Sequence, residues 1–139
     1  MMPNEGKLTL LSQMVQQMSG YNTFRLAKSL PSPDPADLVL SDMDEADFDG
    51  YAAQNSIAFS NPILNGDNRG ESESDTVTWT AGSGISGAQT IYGMYVTCNT
   101  IGVVERLWLW IPFTATITLS APGQQVQKKL KVYDNAFTP

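Results

Sequence analysis

VERLWLWIPFTATITL, residues 104–119, is the stretch whose reading sets the class of fold. Leu107, Leu109, Ile111, Phe113, Ala115, Ile117 and Leu119 fall on one parity, and Arg106, Trp108, Trp110, Pro112, Thr114, Thr116 and Thr118 on the other. Successive side chains of a β-strand point to opposite faces, so this alternation predicts a long strand with one dry face and one half-exposed face. Pro112 has no N–H for a ladder, which predicts a bend there or a place at a sheet edge.

Shorter runs on either side repeat the pattern. Phe24 and Leu26 alternate with Thr23 and Arg25; Tyr51, Ala53, Ile57 and Phe59 alternate over 51–59; Val77 and Trp79 share one side of TVTWT. TIYGMYVTCN, residues 90–99, reads as a strand in which Gly93 marks a bulge or a close backbone approach. Over 126–133, Val126, Leu130 and Val132 face inward while Gln127, Lys129 and Lys131 face water. Between these runs lie a turn near Asn65-Gly66, a glycine-rich loop AGSGISGAQ and the turn SAPGQQ.

The opening is different. Leu8, Leu11, Met14, Val15 and Met18 recur at helical spacing, with Asn4 as a cap and Gly20 as a stop, so a short amphipathic helix is expected to dock on its own domain or on a partner. The expected organisation is an N-terminal helix or arm at 1–20, then a single domain at 21–139 with an acidic, Pro-rich loop at 31–50. One helix followed by roughly seven or eight short strands predicts a mainly β chain, an antiparallel β-sandwich that is jelly-roll-like.

Composition narrows the function. There is no histidine and only one cysteine, Cys98, which removes the commonest general base, the Ser-His and Cys-His pairs, the ordinary zinc sets and any internal disulfide. Asp42, Asp44, Glu45, Asp47 and Asp49 lie in one local segment rather than on facing walls, so paired-carboxylate catalysis is not expected, nor any enzyme activity or cofactor. Glu45, Asp47, Asp49 and Gly50 fit the first half of a calcium loop, but Ser56 stands where the closing Glu belongs.

Residues 34–75 carry a net charge of −10 and the rest of the chain +4. That split argues against a nucleic-acid face and suits self-association or docking onto a basic neighbour. No apolar run is long enough for a membrane helix, and no charged stretch feeding an apolar run suggests a secretory signal. Trp108 and Trp110 share a parity with Arg106; such a row can be covered from within, form a subunit contact or stack a sugar.

Two segments resemble a group of small virion proteins of tailed bacteriophages. Leu40, Glu45, Ala46, Phe48, Gly50 and Tyr51 match that group's acidic "L-x-E-A-x-F-x-G-Y" segment, and Ile91, Tyr92, Gly93, Tyr95, Val96 and Thr97 match its "I-Y-G-Y-x-V-T" strand. The resemblance implies a non-enzymatic virion component. It points first to a capsid decoration or cement protein, a homotrimer bound to major capsid subunits and to copies of itself; a tail, neck or fibre component is the alternative. A carbohydrate-binding adhesin using Tyr95, Trp108 and Trp110 is a further alternative. The partner-binding residues expected on this view are Leu8, Leu11 and Val15 of the helix, Asp42, Asp44 and Asp47 of the acidic segment, and Trp108 and Trp110.

Overall fold

The computed structural model describes residues 11–12, 20–67, 69–98 and 105–133. The protein is mainly β, with antiparallel pairing throughout. Its strands are β1 (Asn22–Ala27), β2 (Gln54–Asn55), β3 (Ile63–Leu64), β4 (Gly70–Glu73), β5 (Val77–Thr80), β6 (Gln89–Cys98), β7 (Arg106–Leu119), β8 (Gln125–Lys128) and β9 (Lys131–Tyr133). They form a four-stranded sheet in the order β2-β1-β6-β7, a three-stranded sheet β3-β4-β9 and a two-stranded sheet β5-β8. Two single 3-10 turns, Pro35–Asp37 and Leu40–Asp42, lie in the Pro-rich loop.

The helix expected over 6–18 falls outside the described residues except at Leu11 and Ser12, so Leu8 and Val15 have no place in the account of contacts. No N-terminal helix stands as an element among the described residues. Leu11 itself is buried in the core.

All three sheets feed one apolar cluster. Phe24 and Leu26 of β1, Ile91, Met94 and Val96 of β6 and Leu119 of β7 pack with Val77 and Trp79 of β5, Val126 of β8 and Val132 of β9. Alternation does the sorting: in β5 Val77 and Trp79 are buried while Thr80 is exposed. Asn22 is buried too, and its side chain copies a backbone pair, donating to the Ile57 carbonyl at 2.8 Å and accepting the Ile57 N–H at 2.8 Å.

Three expectations need correction. The run 51–59 is largely irregular; only Gln54 and Asn55 pair with β1, and Ser56 turns the chain with φ 54°. Residues 126–133 form two strands rather than one, because β8 pairs with β5 and β9 with β4, with Leu130 turned into the core between them. The parity of 104–119 does not hold along its length. The register slips by one residue between Val96↔Leu109 and Thr97↔Leu107, so Trp108 bulges. A one-residue slip exchanges faces. Trp108 therefore packs with the core beside Leu109 and Ile111, and Leu107 faces the other way, opposite Thr97.

The sheet-edge place expected for Pro112 is found. β7 is the last strand of its sheet, and the pairing jumps from Ile91↔Ile117 to Gly93↔Pro112. Tyr92 alone stands opposite residues 113–116, which swing away from β6. Gly93 is a close approach: a Cβ there would collide with Cη2 of Trp110 and lie 2.7 Å from the Ile111 carbonyl oxygen. The Trp110 ring thus covers the place a side chain would take.

Candidate functional site

The acidic segment 42–51 is the first candidate, and the structure lays it along the outer side of β1. Ala27 bridges Glu45, Lys28 N–H donates to the Asp44 carbonyl and Ala46 N–H to the Leu26 carbonyl, both at 2.9 Å. With β2 beside Thr23 and Phe24, this segment closes the edge of the sheet opposite β7.

Its carboxylates point to separate partners. Asp42 accepts the Val39 N–H at 2.9 Å and holds the 3-10 turn. Asp44 accepts the Ser29 hydroxyl at 3.0 Å, and Lys28 Nζ stands 3.9 Å away. Asp47 accepts from Gln89 Nε2 at 2.7 Å and from Lys28 Nζ at 3.1 Å. The Gln89 amide and then Lys28 hold the Asp47 carboxyl below the usual carboxylate range, and Asp47 in turn raises the Lys28 ammonium. Asp49 accepts the Gly84 N–H at 2.9 Å, and its carbonyl accepts the Gly82 N–H at 2.7 Å. The glycine-rich loop therefore lies against this turn of its own chain. Gly50, at φ 88°, has no room for a Cβ, which would sit 2.6 Å from both Gly82 N and the Thr80 carbonyl oxygen.

Glu45 belongs to a cluster that the sequence does not announce. Arg25 Nη1 reaches both Glu45 oxygens at 3.0 and 2.9 Å, and its Nη2 donates to Glu105 at 3.0 Å. The Tyr51 hydroxyl donates to Glu45 at 2.7 Å and accepts the Leu26 N–H at 3.2 Å; Thr97 donates to Glu105. One guanidinium thereby ties β1, the acidic segment and the start of β7 together. Burial opposes the Arg25 charge, but the hydrogen bonds and charges of Glu45 and Glu105 outweigh it and raise its pKa. The Thr97 hydroxyl first, then Arg25, lowers Glu105. Burial above all pushes the Tyr95 phenol up to about 12 and raises Tyr51 further. Among the described residues no three acidic or sulfur side chains are grouped to hold a metal ion.

Of the eight side chains expected to bind a partner, the structure places Asp44 and Asp47 together at Lys28, Asp42 in the adjoining turn, Leu11 in the core, Trp108 half-buried against it and Trp110 over Gly93. Cys98 is half-buried at the end of β6 rather than in the core, and burial raises its thiol pKa.

What the outer surface offers is apolar. Leu30 and Val39 of the Pro-rich loop are 62% and 55% exposed, and Ile63 on the β3–β4 hairpin is 61% exposed. Leu38, Val39 and Leu40 line an open hollow with Glu105, Arg106 and Leu107 at the start of β7. A second open hollow, about 460 Å³, lies where β7 leaves β6, between Met94, Ile111, Phe113 and Ile117 and the side chains of Lys128 and Lys129. Lys128 Nζ sits 4.3 Å above the Phe113 ring. Nothing in a single sequence marks that pair, because the two residues lie on strands of different sheets.

Comparison with protein-family models, with curated proteins and with solved structures finds no match to this chain.

Proposed function

We propose that this chain is a structural protein of a tailed-phage virion, a capsid decoration or cement protein with a jelly-roll-like sandwich body and an N-terminal docking helix. It binds major capsid subunits and copies of itself as a homotrimer, without cofactor, nucleic acid or membrane. The observation that carries this reading is the surface. Large apolar side chains stand out on an acidic loop pinned at its base by Arg25 and Lys28, while the hollows are shallow and open. A pre-ordered apolar loop suits contact with another protein, because little conformational freedom is left to lose on docking. The two segments that resemble virion proteins also meet in space: Tyr51 donates to Glu45, and Glu45 is held by Arg25, whose register partner is Tyr95 of β6.

The sugar-platform reading is less well supported, since Trp108 is packed on the core and Trp110 on Gly93, leaving no matched pair of free rings. Separated heads and tails decide the location: the protein is expected in the head fraction, and recovery only with tails selects a tail or neck component. Heads lacking the protein should rupture at lower temperature than complete heads. Equal rupture temperatures would overturn the cement role.

A further inference from the structure

The hollow beside Phe113 and the Pro-rich loop are complementary, and one chain cannot bring them together. Met94, Ile111, Phe113 and Ile117 line the hollow together with Thr114 and Thr116, and Lys128 and Lys129 give it positive charge. Lys128 has no ion pair among the described residues and rests on the Phe113 ring; Lys129 is held 3.3 Å from Glu73. The loop has the opposite character. Asp34 and Asp37 are exposed with no ion pair among the described residues, and the exposed Leu30 and Val39 flank them, one before and one after. Within one molecule the loop lies against Leu107 and the hollow against Phe113, about 20 Å apart along β7 at a strand's rise per residue.

We infer that the hollow receives residues 30–40, the segment that opens the Pro-rich loop, of a second copy. Val39 enters against Phe113 and Ile117, and Asp34 and Asp37 approach Lys128 and Lys129. This inference rests on the self-association proposed above and names its surfaces. The contact joins two different patches, so it is head-to-tail, and repeating it closes a ring when the rotation allows. A homotrimer is such a ring. Complementary charge sets which patch meets which, and the apolar side chains supply area that leaves water on docking.

The test is a charge exchange on the full-length protein, read by sedimentation equilibrium and by light scattering at low and at high salt. The wild-type chain is expected above its monomer mass of 15.1 kDa. Lys128→Glu and Asp37→Lys should each weaken association roughly tenfold or more, and the double variant carrying both changes should regain most of it. Val39→Ser should weaken association without altering its salt dependence. Circular dichroism of each variant, all altered at the surface, confirms that the fold is kept. A monomeric wild type at about 200 μM, or single reversals that associate as the wild type does, overturns the inference. So does a double variant no better than either single one. The head assignment is read separately: a monomer still recovered in the head fraction fails this contact and leaves the virion role standing, whereas an oligomer absent from heads does the reverse.

Discussion

Replacing Arg25 by leucine tests whether the cluster at its guanidinium holds the acidic segment in place. The change removes three hydrogen bonds, at 3.0, 2.9 and 3.0 Å, and leaves Glu45 and Glu105 facing each other without a cation. Breaking a fully buried pair costs about 3–5 kcal/mol, and an exposed one under about 1 kcal/mol. Here the side chains of Arg25, Glu45 and Glu105 are 24%, 35% and 31% exposed, so screening takes part of the buried value and about 2–3 kcal/mol is expected at neutral pH. For a chain of this length that lowers the melting temperature by about 6–12 °C. The sign of the pH dependence follows from Glu105. Its folded pKa is depressed, so its stabilisation is present above the unfolded value of about 4.3 and is lost as pH falls through the folded one. The gap between wild type and Arg25→Leu should therefore be widest near pH 7 and shrink below about pH 4. Thermal melts by circular dichroism at a series of pH values measure it. A gap under about 2 °C at pH 7, or one of equal size at pH 3, would refute the account.

Gly93→Ala forces a methyl into the Trp110 ring and the Ile111 carbonyl; a loss of about 2–3 kcal/mol in urea unfolding is expected, together with a shift in tryptophan emission. Asn22→Ala leaves the half-buried Ile57 N–H and carbonyl without these partners and should cost about 1–2 kcal/mol in the same assay. Millimolar calcium should leave the melting temperature unchanged, because Glu45, Asp47 and Asp49 face Arg25, Lys28 and Gly84 rather than one another; a rise abolished by Asp47→Asn would contradict that.

The sequence was a good guide wherever a local rule decides the outcome. Two-residue periodicity located β1, β5, β6 and β7, the Asn65-Gly66 pair marked the β3–β4 turn, and Gly93 and Pro112 meant what a glycine and a proline mean inside a strand. It was a poor guide wherever a partner distant in sequence decides. The bulge at Trp108 depends on how β7 registers on β6, and it reversed the side on which Leu107 and Trp108 lie. The run 126–133 looked like one strand because Val126, Leu130 and Val132 all point inward, yet the two halves serve different sheets. Arg25 carried a faint signal, a lone cation between Phe24 and Leu26. Its anions, Glu45 and Glu105, come from 20 and 80 residues away, beyond any local pattern. The acidic run read as a docking surface; what no local pattern showed is that Asp42, Asp44 and Asp47 also bond within the chain, to Val39, Ser29 and Lys28.

The uneven course of β7 bears on how the protein behaves when crowded. A straight fourteen-residue rim rich in leucine, tryptophan and isoleucine would be a template for amyloid-like stacking, one molecule adding to the next through main-chain bonds. The extra residue at Trp108, the absent donor at Pro112 and the excursion at 113–116 leave no long flat tract for a newcomer to zip onto. Concentrated solutions should therefore stay free of thioflavin-positive fibres, and restoring a regular rim is the change most apt to produce them.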